Sequence, residues 1–166
     1  REPDPLMTTT SRKFLAVSDE TEECMSALMF AAMRARAVGA GMVMLRCARV
    51  PGLGGWVGLD KEISQDAIDS ARLKAVRHAN ALEEKIGVKP EIVISEEEPV
   101  DAIRDLVRDD PAIKVLILAS ASGWRPGPLV SRLAKGKPIA SRPIAVTVIP
   151  GGMSEEQLAE IGGLSG

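Results

Sequence analysis

Five short, almost unbroken apolar runs punctuate this chain: Phe14–Ser18, Met42–Ala48, Glu91–Ser95, Lys114–Ala119 and Ile144–Ile149. Runs of this length that do not alternate with polar residues are strands covered on both faces. They fall far short of the ~20 apolar residues that cross a bilayer, so no membrane partner is expected. Between them the apolar period changes from continuous to helical. Met25, Leu28, Ala32 and Ala35 recur at three- or four-residue spacing, as do Ile68, Ala71, Ala75, Ala79, Leu82 and Ile86 in the longest helix, Ser64–Ile86. Val100, Ile103, Leu106 and Val107 repeat the pattern, and a short helix is predicted over Leu129–Lys135.

Helix stops and starts sharpen these bounds. Asp19 is expected to open the first helix, with Glu22 three residues on as a capping box, and Gly39 to close it. Gly87 and Gly136 close two others, while Pro99 sits at a favoured first helical position behind Glu96–Glu98. Ser154 with Gln157 caps a last helix through Ile161, outside the main repeat. Buried strands joined by helices pair in parallel through right-handed crossovers. The expected fold is therefore α/β, a three-layer, doubly wound, five-stranded parallel sheet. The chain divides into a flexible N-terminal tail (1–12), the α/β domain (13–150) and a C-terminal extension with a short helix (151–166).

Such sheets bind ligands beyond the carboxyl ends of their strands, where the strand order reverses. That edge gathers Asp19, Cys47, Ser95 and the turn-rich stretch from Ala119 to Pro128. Charge supports it: Pro111–Ser154 holds no acid yet carries Lys114, Arg125, Arg132, Lys135, Lys137 and Arg142. This +6 segment stands against −8 in the rest of a chain whose net charge is −2. An anion at the strand edge would explain the asymmetry; a solvated basic surface would explain it equally.

Other chemistries find less support. Two scattered cysteines, Cys24 and Cys47, make no disulfide framework and suit a reducing, cytoplasmic setting. The N-terminus, Arg1–Lys13, has no apolar stretch of the signal-peptide kind. His78, the one histidine, falls on the polar side of the long helix and reads as a surface residue, which disfavours zinc and Ser/His/Asp catalysis. Loop acids Glu96–Glu98 are expected to stay solvated, so no metal is expected. With 2% aromatic residues the chain lacks stacking platforms for nucleic acid. Trp56 and Trp124 lie in loops near the strand edge, where either would stack on a base or pack against a neighbour.

From Lys13 to Pro150 the sequence resembles the universal stress protein family. Phe14-Leu15-Ala16-Val17-Ser18-Asp19-Glu20-Thr21, followed by Ala27-Leu28, keeps the spacing of the family's first strand, its terminal Asp, a hydroxyl residue two positions on, and the helix core. Leu45–Ala48, Val88–Pro99 and Pro143–Pro150 resemble its second, third and last strands. The resemblance implies an adenine nucleotide alpha hydrolase-like fold, homodimerisation through the fifth strand (144–149), and ATP or AMP as ligand. The family's nucleotide loop reads Gly, two residues, Gly, nine residues, Gly and Ser/Thr. Here Ser131–Gly136 keeps the spacing to the third glycine, Lys137 takes the hydroxyl position, Ala119 the first glycine, and Ser122 or Gly123 the second. The loop is about four residues longer than the family's, and its Gly123–Val130 insertion resembles a bacterial variant subgroup.

By this resemblance the nucleotide site would comprise Asp19, Cys47, Ala119, Ser122, Gly123, Gly127, Gly136 and Lys137. Asp19 would serve base or ribose, Cys47 would offer backbone groups to an adenine edge, and the glycines and Lys137 would meet phosphate. For each there is a plainer reading: a helix cap for Asp19, a small buried thiol for Cys47, turn chemistry for the glycines. A nucleotide-binding regulatory domain is expected, with a nucleotide-independent dimeric interaction protein as the alternative. An enzyme fits least, because Ser18-Asp19-Glu20-Thr21 is acidic and glycine-free where a pyrophosphate loop would stand.

Overall fold

The computed structural model describes residues 12–48, 60–121 and 127–163, with side chains omitted at 60–64. The tail before Arg12, together with Trp56, Ser122, Gly123, Trp124 and Arg125, lies outside the described residues.

The five apolar runs form five strands: β1 (Lys13–Ser18), β2 (Gly41–Cys47), β3 (Glu91–Ser95), β4 (Ile113–Ser120) and β5 (Ala145–Pro150). They make one parallel sheet in the order β3-β2-β1-β4-β5. The helices are α1 (Cys24–Val38), α2 (Asp60–Ile86), α3 (Pro99–Asp109), α4 (Pro128–Ala134) and α5 (Glu155–Gly162). The expected doubly wound α/β fold is the observed one, with strand limits moved by about a residue. Main-chain pairing continues past the apolar residues: Lys13 pairs with Gly41, and its ammonium reaches Asp110 at 2.8 Å and Glu91 at 3.1 Å.

Successive strand side chains point to opposite faces, and this parity sorts the core into two halves. Leu15, Val43, Leu45, Leu116 and Leu118 pack with Ile103 and Val107 of α3. Ala16, Met42, Met44 and Ile117 pack with α1, with α2 through Ala75, Ala79 and Leu82, and with Leu158 of α5. The same parity assigns Ser18 and Arg46 to the α1/α2 side, a placement that governs the site below.

α1 is buried on more than one stripe. Besides Leu28, Ala32 and Ala35, the side chains of Met29, Phe30 and Met33 are buried. A helix apolar around most of its girth needs neighbours on several sides. α1 has the sheet beneath, α2 beside it and α5 packed against it, where Arg34 donates to the Gly162 carbonyl at 3.2 Å. The Ser154/Gln157 capping box is present in both directions, at 3.1 and 3.0 Å. Ile68, expected in the α2 core stripe, is only half-buried.

Asp19 does not open α1. Its carboxylate accepts from Thr21 N at 2.7 Å and from the Thr21 hydroxyl at 2.5 Å, closing a local turn. The helix starts at Cys24, whose amide donates to Thr21 Oγ1 at 3.3 Å. A self-bonded Asx turn competes with capping, and here the turn prevails.

Candidate functional site: two crevices at the strand ends

The strand order reverses between β1 and β4, so the loops leaving those two strands diverge to opposite faces and leave a gap at their carboxyl ends. Two crevices fill that gap. The smaller, about 130 Å³, is walled by Val17, Cys24, Ala119, Gly127 and Leu129, with Asp19 at its rim. The larger, about 440 Å³, lies towards β2 and is bounded by Ser18, Glu20, Arg46, Cys47 and Glu98, again with Asp19. Val17, Asp19, Pro128 and Leu129 line both, so the two spaces abut around Asp19. The larger one falls within the ~300–1,000 Å³ range of small-molecule sites.

Asp19 is held for this position by its bonds to Thr21, which fix the carboxylate at the rim and leave it exposed. Beneath it lies a polar chain that sequence reasoning did not find. Arg46 is 4% exposed, although it interrupts an apolar strand. Its guanidinium donates to Ser18 Oγ at 2.9 Å and to the Asp19 carbonyl at 3.3 Å, and pairs with Glu20. Glu20 also takes Lys74 of α2 at 2.8 Å, and these two cations, Lys74 foremost, hold its carboxyl below the ordinary range.

Ser18, 1% exposed, meets His78 Nδ1 at 2.7 Å. An arginine only donates, so it occupies one lone pair of the Ser18 oxygen, leaving the hydroxyl proton and the second lone pair to face Nδ1. Burial first, and the Arg46 charge second, lower the His78 pKa from the usual 6.5. The expectation of a surface histidine is corrected: His78 is half-buried and partnered, because the long helix turns that side onto the end of β1. The signal in the sequence was Arg46 itself, an ionisable residue inside an apolar run, which demands partners when buried.

Of the residues expected at the site, Asp19, Cys47, Ala119 and Gly127 line the crevices, and Ser122 and Gly123 lie outside the described residues. Gly136 and Lys137 line neither crevice. Gly136, at φ 72°, ends α4: its amide donates to the Leu133 carbonyl at 2.9 Å, and the Lys137 amide to Arg132 at 3.1 Å. That is the Schellman arrangement of a helix C-terminus, whose partial charge is negative. No helix follows before β5. Among the described residues no group of three or more His, Cys, Asp or Glu is placed to hold a metal ion, and no helix is long and apolar enough to cross a membrane.

The fold is matched in known proteins. A universal stress protein from Archaeoglobus fulgidus superposes with a TM-score of 0.62 at 17% identity, over 87% of this chain and 97% of that one. UspA from Lactobacillus plantarum gives 0.62 at 18% identity, over 85% and 99%. A universal stress protein from Archaeoglobus fulgidus in complex with dAMP gives 0.51 at 20% identity, over 83% and 96%. At such identities the likeness is one of fold. Among curated proteins, none matches the sequence. The profile of the universal stress protein family matches residues 10–133, from the approach to β1 into α4, and so takes in both strands that frame the crevices. With three-quarters of its length matched by the family's profile, the chain belongs to the universal stress protein family.

Proposed function

We propose that this protein is a regulatory domain that binds an adenine nucleotide across the two abutting crevices, without turning it over. The observation that carries the reading is the junction at Asp19: two crevices with mainly apolar walls meet at a fixed carboxylate, on the edge where doubly wound sheets take ligands. A flat base suits the apolar walls, and ribose hydroxyls suit the carboxylate. Cys47, Ala119 and Gly127 supply walls. A relative of the same fold held dAMP, which is consistent with this class of ligand.

A non-enzymatic role fits the side chains at hand. Ser18 and His78 stand at hydrogen-bond distance, but the serine is sealed at 1% exposure and bonded to a buried arginine, which suits a structural tie and not a nucleophile. ATP with magnesium fits less well than AMP, since Gly136 and Lys137 use their amides within the chain. We further assign homodimerisation to the β5 edge, where Val148 is 40% exposed, and a cytoplasmic setting.

Thermal unfolding with ATP, ADP, AMP and cyclic AMP tests the nucleotide reading. A ligand at about 100 times its Kd stabilises by about 2.7 kcal/mol, which raises Tm by several degrees in a domain of this size. If no adenylate raises Tm, and mass spectrometry of natively purified protein finds none, the domain acts as a nucleotide-independent dimer. Val148→Asp, at an exposed position, tests that dimer by sedimentation.

A further inference from the structure

The crevices raise an electrostatic question: where would a nucleotide's phosphate go? Among the described residues that line them, Arg46 is the one cation, and Asp19, Glu20, Glu23 and Glu98 are acids. The smaller crevice has no described cation at all. The amides of Gly136 and Lys137 are engaged at the end of α4.

We propose that the phosphoryl group of a nucleoside monophosphate binds Arg46 and Lys74 by displacing Glu20, so that Glu20 is a built-in competitor for its own ligand's anion. This rests on the nucleotide reading above and adds to it the position of the charge. The carboxylate of Glu20 already shows that the seat accepts an anion: a single oxygen is bonded to both the Arg46 guanidinium and the Lys74 ammonium. The two sides of this contact are unequal. Arg46 is buried at 4% exposure and fixed by Ser18 and the Asp19 carbonyl, whereas the Glu20 side chain is 71% exposed and free to swing into water. A buried guanidinium without a counter-anion is unfavourable, so Glu20 leaves only as another anion arrives. A phosphoryl group offers more oxygens than a carboxylate, which suits a planar guanidinium and a neighbouring ammonium together. Exchange of this kind makes occupancy sensitive to the ligand's charge and not only to its base.

The test is calorimetric titration of the full chain with adenosine, AMP and inorganic phosphate, for wild type, Glu20→Gln and Lys74→Met. These two substitutions lie at exposed positions, so the outcome does not depend on a buried Arg46 variant folding. Expected are tighter binding of AMP than adenosine by wild type, a roughly 3- to 10-fold rise in the preference for AMP over adenosine in Glu20→Gln, a fall in that preference in Lys74→Met, and competition of phosphate with AMP but not with adenosine. AMP binding to Glu20→Gln but not to wild type also supports the exchange. Adenosine and AMP binding equally, with neither substitution altering either, overturns the anion seat and leaves nucleoside recognition standing. No binding of any of the three to any variant overturns the nucleotide reading, and this inference with it.

Discussion

Ser18→Ala isolates the polar chain under the crevice, because one hydroxyl serves both Arg46 and His78. In the wild-type protein the hydroxyl accepts from Arg46 and shares a hydrogen bond with Nδ1 of His78. The two bonds bring the guanidinium within about 6 Å of the imidazole, where two positive charges repel by about 3 kcal/mol at an effective dielectric near 20. The nearby Asp19 and Glu20 carboxylates offset part of that repulsion. A hydroxyl that donates to Nδ1 favours neutral imidazole, so its removal in Ser18→Ala is expected to raise the His78 midpoint. The burial and the Arg46 charge, which lower the midpoint, remain. The same change removes a hydrogen bond to a charged group, costing about 2 kcal/mol, or about 4–8 °C in Tm. His78 is the chain's one histidine, so its ring proton signals report the titration without assignment ambiguity. An unchanged midpoint and Tm would refute the shared hydroxyl. A midpoint that falls would mean that Nδ1 carries the proton, reversing the bond.

The remaining predictions use other parts of the molecule. Because the His78 pKa is lowered in the fold, the unfolded chain takes up the proton first; stability is fully present above pH 6.5 and is lost as pH falls from 6.5 through the folded midpoint. His78→Asn, which keeps an acceptor towards Ser18, should flatten denaturant-measured stability across that window. Leu158→Ala, at 1% exposure between α5 and α1, should cost about 2–5 kcal/mol and lower the calorimetric Tm accordingly. Gly151→Ala should destabilise despite adding one methyl, since its Cβ would stand 2.6 Å from the Ser120 carbonyl and 2.5 Å from Glu23 Cγ. At pH 8 a thiol reagent should modify Cys47 at the crevice wall while Cys24, its thiol pushed up to about 11 by burial, stays unreacted; a bound adenylate should protect Cys47.

How much of this is legible in the sequence depends on whether the signal is local. The strand runs are, because residues such as Leu15, Val43 and Leu116 are apolar for a reason that acts wherever a strand is covered on both faces. Gly39 and Gly87 are, since a positive φ at a helix end is a property of one residue. The Ser154/Gln157 box is, as both partners lie within one turn. Asp19 was misread although its signal is just as local. Asp followed by Thr two residues on, and Asp followed by Glu three residues on, are both recognised hydrogen-bonding patterns, and the shorter one is the one formed.

The site divides along the same line. Asp19 and Cys47 were placed by topology alone, as any residue ending β1 or β2 would be. The Arg46–Ser18–His78 chain was not, because it joins β1, β2 and α2 across 28 and 60 residues of sequence and exists only once strand parity turns Ser18 and Arg46 to the same side as α2. What the sequence did contain was the anomaly: an arginine in a buried strand must be compensated, and here the acid comes from a loop at the same edge of the sheet, after β1. Two acids, Asp19 and Glu20, stand there. One is closed into a turn with Thr21, and the other reaches Arg46. The competition between two adjacent carboxylates for a hydroxyl and a guanidinium thus decides which of them faces a ligand and which occupies the ligand's place.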